Sequence, residues 1–148
     1  MNVMSNSQQA MNSAGKLFEA MQTLRRFIPA VQMQTIGDLC KGEEGEYFRD
    51  KLASVANLVA TMPKTYEQDG MGDNAIVHLH YFTGGCDWYI TERDMETVQH
   101  QAFGYTNLGY GGELGYISLV ELCQHPSVEL DLHWTPKELS KVKLAEAA

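Results

Sequence analysis

Two periodicities divide the chain. Up to Met62 the apolar positions recur every three or four residues, and from Ala75 onward they alternate or run on between glycines. Leu17, Met21, Leu24 and Ile28 make one apolar stripe and predict a helix over 14–28, while the polar stretch before it, 1–13, reads as disordered. Pro29 opens a second, short helix carrying Met33, Ile36 and Cys40, and Gly42 ends it. Phe48, Leu52, Val55, Val59 and Met62 hold the same period over a third helix. Glu43, Glu44 and Glu46 lie at its start, where the helix dipole favours negative charge, and Pro63 stops it.

The second half reads as strands. AIVHLHYF, CDWYITE, HQAFGYTN and ELGYISL are rich in β-branched and aromatic residues, and Thr83-Gly84-Gly85 between the first two is a hairpin turn. NLGYGGE makes a looser connection. Ser118 and Glu121 form a capping box for a short helix ended by His125-Pro126. VELDLHW alternates, which places Val128, Leu130, Leu132 and Trp134 on one face of a fifth strand and Glu129, Asp131 and His133 on the other. TPKE is a second capping box, predicting a last helix over 135–148 with Leu139 and Val142 inward. The pattern is α+β. It predicts one domain over 1–148, in which a helical part (14–62) packs on a mostly antiparallel five-stranded sheet (75–134). A short helix separates strands four and five, and a helix closes the chain.

Composition changes this picture little. At 148 residues the chain is long enough to bury about 70% of its unfolded surface without disulfides or a structural metal. Cys40, Cys86 and Cys123 are odd in number and contain no CxxC pair, so they read as small buried hydrophobes. The start of the chain lacks the basic-then-apolar pattern of a signal peptide, and no run approaches a membrane span, so a cytoplasmic protein without membrane contact is expected.

Charge changes it more. The net charge is −8, and residues 65–136 hold eleven acids against one base, Arg93. Direct nucleic-acid binding through such a segment is repulsive. A cation or a protein with a basic surface is the partner to expect.

Candidate chemistry is sparse. His78 and His80, two apart on a strand, would share a face and could offer two metal ligands, with His133 or Glu92 as a third. Structural zinc needs four ligands and catalytic zinc three, so polar positions on a half-exposed strand are the simpler reading. Cys86 has Asp87 beside it, which disfavours a reactive thiolate. Glu92, Glu113 and Asp131 occupy strand positions where acids are poor choices by propensity, and could converge if their strands pair. Trp88, Tyr89, Tyr105, Tyr110 and Tyr116 read as packing, with Tyr110 and Tyr116 rimming a pocket beside the glycine-rich loop.

The segments YFTGGCDWYITERD, QAFGYTNLGYGGELGYISLVEL and VELDLHWTP resemble domain-of-unknown-function family 2958 of bacterial plasmids, integrative elements and phages. The resemblance covers roughly 63–136 and rests on Trp88–Glu92, Phe103-Gly104, Glu113–Tyr116 with Glu121-Leu122, and the strand around Asp131. It implies mobile-element origin and a cytoplasmic location, and no mechanism. The function expected is therefore non-enzymatic: an accessory protein, serving counter-defence or element maintenance, that binds another protein through an acidic sheet face. Trp88, Glu92, Tyr110, Glu113, Tyr116 and Asp131 are its candidate contacts, and no cofactor is implied. The alternative is a metal-dependent or acid–base enzyme built from His78, His80, Glu92, Glu113 and Asp131.

Overall fold

The computed structural model describes residue 3 and residues 5–148, with the side chains of residues 10, 12–14, 16 and 17 of the first helix outside that description. Helix α1 runs from Asn6 to Phe27, well before the expected start. Its N-cap explains the difference: the Ser5 hydroxyl accepts the Gln8 N–H while the Gln8 side chain accepts the Ser5 N–H, a capping box within the stretch read as disordered. Leu24, Phe27 and Ile28 are buried and Met21 packs against them, whereas Leu17 lies outside the described side chains. Helices α2 (Ala30–Leu39) and α3 (Gly45–Thr61) follow as the pattern predicts, with Ile36, Leu52, Val55 and Val59 inward.

The strands are β1 (Ile76–Val77), β2 (Leu79–Thr83), β3 (Cys86–Glu92), β4 (Ala102–Asn107), β5 (Gly112–Ile117), β6 (Glu129–Leu130) and β7 (Lys137–Glu138). Five of them make an antiparallel sheet in the order β5-β4-β3-β2-β6, so the fold is α+β. The hairpin β2–β3 closes through Gly84 at φ +52, a conformation that glycine adopts at little cost. Helix α4 (Leu119–Gln124) leads to β6, and Ser118 caps it by accepting the Glu121 N–H at 3.3 Å.

One face of the sheet, carrying Leu79, Tyr81, Ile90, Ala102, Ile117 and Leu130, is covered by α1–α4 in a single apolar cluster. There the buried Tyr81 hydroxyl donates to the Phe27 carbonyl, anchoring the sheet to α1. The other face carries Tyr89 and Tyr105, which pack with Val77, Trp134, Leu139 and Val142 of the C-terminal region.

Two expected elements end differently. The fifth strand stops after Leu130, because Asp131 accepts the His133 N–H at 2.9 Å and turns the chain. Trp134 consequently packs on the face opposite Leu130, with its indole N–H donating to the Val77 carbonyl at 3.0 Å. The expected TPKE cap is not formed. Lys137 and Glu138 instead pair with Val77 and Ile76, and helix α5 (Leu139–Glu146) begins only afterwards.

The two sheet edges differ. Along β6 the Gln32 amide takes the place of a further strand, accepting the Leu130 N–H at 2.7 Å and donating to its carbonyl at 2.8 Å. Among the described residues β5 has no strand on its outer side. Among the described residues no helix is long and apolar enough to cross a membrane.

Candidate functional site

An irregularity in β3 borders one cleft. Ile90 pairs with Gly104 but Glu92 pairs with Phe103, so Thr91 is an inserted bulge residue. Regular alternation would place Glu92 on the same face as Ile90, beneath the helices; the bulge moves it to the face of Phe103 and Tyr116. There Glu92 is 4% exposed. One carboxylate oxygen accepts the Gln68 N–H at 3.2 Å, and the other lies 3.1 Å from the Thr91 hydroxyl. That hydroxyl is equally far, 3.1 Å, from the Phe103 carbonyl and has one proton to share between them.

The segment between α3 and β1 forms the opposite wall. Gln68 holds it in place: its amide donates to the Thr91 and Ile76 carbonyls at 2.8 and 2.9 Å and accepts the Ile76 N–H at 2.7 Å. Tyr66, at φ +78, reaches across to Tyr116, and the two hydroxyls meet at 2.6 Å. This hydrogen bond, followed by desolvation and the nearby Asp69 and Glu92 carboxylates, raises the Tyr116 phenol above its ordinary pKa. The result is a cleft of about 350 Å³ whose lining includes the aromatic rings of Tyr66, Phe103 and Tyr116 and the carboxylates of Glu92 and Asp69.

Ion pairs among the described residues join His80 to Asp87 and Asp131, and Lys143 to Asp73, so none neutralises Glu92. A buried carboxylate without a counter-charge is costly, and a cation entering the cleft would relieve that cost.

Around the edge of β5 a shallower groove of about 330 Å³ is lined by Trp88, Glu113, Tyr116 and Glu121. Neither lining includes Lys or Arg. Four of the candidate residues thus gather around β5: Glu92 and Tyr116 in the cleft, and Trp88, Glu113 and again Tyr116 in the groove. Tyr110 does not join them. It is 95% exposed at the tip of the β4–β5 connection, and the rim position expected for it is held by Tyr66.

Asp131 lies elsewhere, with His80. The His80 ring stacks on Tyr89 at 4.6 Å, and its Nε2 and Nδ1 lie 2.8 Å from Asp87 and 3.2 Å from Asp131. With a carboxylate already facing each nitrogen, neither is open to a metal. The expected shared face of His78 and His80 fails for a backbone reason: the strand breaks at His78, so Val77 joins the C-terminal cluster while Leu79 joins the helical one. His78 is partly buried, which lowers its pKa, and its Nδ1 has no partner. His133 is exposed on the turn after β6. Among the described residues no group of three or more His, Cys, Asp or Glu could hold a metal ion.

The three cysteines are unpaired and partly buried. Burial pushes the Cys123 thiol up to about 12. Compared with models of known families, with curated proteins and with solved structures, the chain matches none.

Proposed function

We propose that the protein is a non-catalytic binding module that docks on a basic surface of another protein, using the open edge of β5 and taking one cationic side chain into the Glu92 cleft. The observation that carries this reading is the buried Glu92 carboxylate, without an ion pair among the described residues, in a cleft it shares with Tyr66, Phe103 and Tyr116. Aromatic faces attract a cation and a buried carboxylate pairs with it, so a Lys or Arg side chain fits both features at once. Glu113 and Glu121 in the adjoining groove extend the same sign along the edge. The setting suggested by the motif resemblance is an accessory protein of a mobile element acting on a host protein in the cytoplasm.

The test is an NMR titration of the full chain with Nα-acetyl-lysine amide and Nα-acetyl-arginine amide, alongside a salt-dependent pull-down from bacterial lysate. Saturable shifts at Tyr66, Phe103 and Tyr116, lost in Glu92→Gln together with the captured partner, are expected. Gln keeps an acceptor for the Gln68 N–H, so the fold survives the change. Shifts unaffected by Glu92→Gln, or none with either amide, would reject the proposal.

A further inference from the structure

On the helical side of the sheet, α1, α3 and the β3–β4 connection enclose a different cleft, of about 460 Å³. Arg26, from the last turn of α1, and Arg93, the residue after β3, line it together with Gln22, Thr23 and Thr97. No acid belongs to that lining, although the chain carries a net charge of −8. Neither guanidinium forms an ion pair among the described residues.

The local acid is occupied elsewhere. Asp94, adjacent in sequence, accepts the Glu96 and Gln101 N–H groups at 3.1 and 3.0 Å. Gln99, buried and at φ +64, fastens the same loop by accepting the Asp94 N–H at 3.0 Å and donating to the Glu96 carbonyl at 2.9 Å. The connection is thus held by bonds that leave the arginines unpaired.

Two buried side-chain nitrogens among the described residues lack any hydrogen-bond partner, His78 Nδ1 and Arg93 Nε. They are not equivalent. A histidine can leave one nitrogen unprotonated, and burial favours that neutral ring at His78. Arginine Nε always carries its hydrogen, so the donor at Arg93 is unmet within the chain, and the rest of that guanidinium faces the cleft.

We infer that this cleft binds the phosphate group of a small, soluble phosphate monoester between Arg26 and Arg93. Two guanidinium charges match a phosphate near its dianionic state better than a singly charged carboxylate. The Thr23 and Thr97 hydroxyls and the Gln22 amide supply further donors for a third oxygen and for the organic part of the molecule. The chain's net −8 works against polyanionic nucleic acid and anionic membranes as sources of that phosphate. This site is independent of the Glu92 cleft.

The full chain, labelled with ¹⁵N, is titrated with inorganic phosphate, glycerol 3-phosphate and acetate at constant ionic strength, and mixed with phosphatidylcholine vesicles with and without phosphatidic acid. Both phosphates should give saturable shifts at Arg26, Arg93 and Thr97, acetate much smaller ones, and phosphatidic acid no added binding. Arg26 is exposed, so Arg26→Gln should leave the remaining spectrum unchanged while weakening phosphate binding by about tenfold or more. Glu92→Gln should leave phosphate binding as it was. Equal response to acetate, binding only to phosphatidic acid vesicles, an unaltered Arg26→Gln titration, or no saturable shift would each overturn the inference.

Discussion

Glu92 and Arg93 are neighbours in the chain and opposites in charge, yet they open onto different clefts. Glu92 shares its cleft with Tyr66, Phe103 and Tyr116; Arg93 lines one with Gln22, Thr23, Arg26 and Phe27 on the side of α1 and α3. Consecutive residues of an extended chain point to opposite sides, so adjacency in sequence keeps these charges from neutralising each other. Each cleft therefore keeps a single sign. The two are also built differently: hydrogen bonds of Gln68 secure the acidic cleft, and those of Asp94 and Gln99 secure the basic one.

The largest effect is expected from the β3–β4 pairing that precedes both residues. At Gly104 an added Cβ would run into the Tyr89 carbonyl and crowd the Ile90 Cα. Gly104→Ala should cost about 3 kcal/mol or more by urea denaturation, because the obstacle is backbone at the centre of a sheet. A loss below about 0.5 kcal/mol would show that strands β3 and β4 are not so closely apposed.

A sharper separation comes from Gln68→Ala. It strips partners from the Ile76 N–H and the Thr91 carbonyl and should cost about 2 kcal/mol. It should also abolish the lysine-amide titration while leaving the phosphate titration intact. Loss of both would mean the clefts are not independent.

The smallest effect concerns the other unpartnered nitrogen, which serves as a control for Arg93. Burial lowers the His78 pKa below its ordinary 6.5, so the unfolded chain binds the proton more readily than the folded one. This contribution to stability is complete above pH 6.5 and is lost as pH falls through 6.5 toward the lower folded value. Denaturation midpoints measured between pH 7.5 and 5 should show this decline, and His78→Gln should flatten it; identical slopes in the two proteins would sink the assignment.

The helices were legible because their signals are local. The stripe of Phe48, Leu52, Val55 and Val59 needs no knowledge of the sheet to be read, and the same holds for Gly84 in its turn. The features that could not be read depend on interruptions of period two. The bulge at Thr91 and the break at His78 each invert the facing of the residues beyond them, so neither the face of Glu92 nor that of the histidine pair follows from alternation. Asp131 shows a related limit: its position in an alternating run does not reveal that its carboxylate bends the chain and ends the strand. Of the residues that complete the acidic cleft, Tyr66 and Gln68 sit in a segment without periodicity. Gly70 and Gly72 mark that segment as a turn but do not say what it covers. The Phe103-Gly104 pair has a physical reason, since the phenylalanine walls the cleft and the glycine admits the neighbouring strand.

The Gln32 amide on β6 has a consequence for how copies of the molecule can accumulate. With that side occupied and β5 free, the sheet is monovalent: it can accept a strand at one border only. Two copies meeting border to border would use up both free sides in a closed, two-fold pair, with nothing left to recruit a third. A filament needs two live ends per unit, and the side chain that covers one of them lies in a helix, far from the border it leaves open.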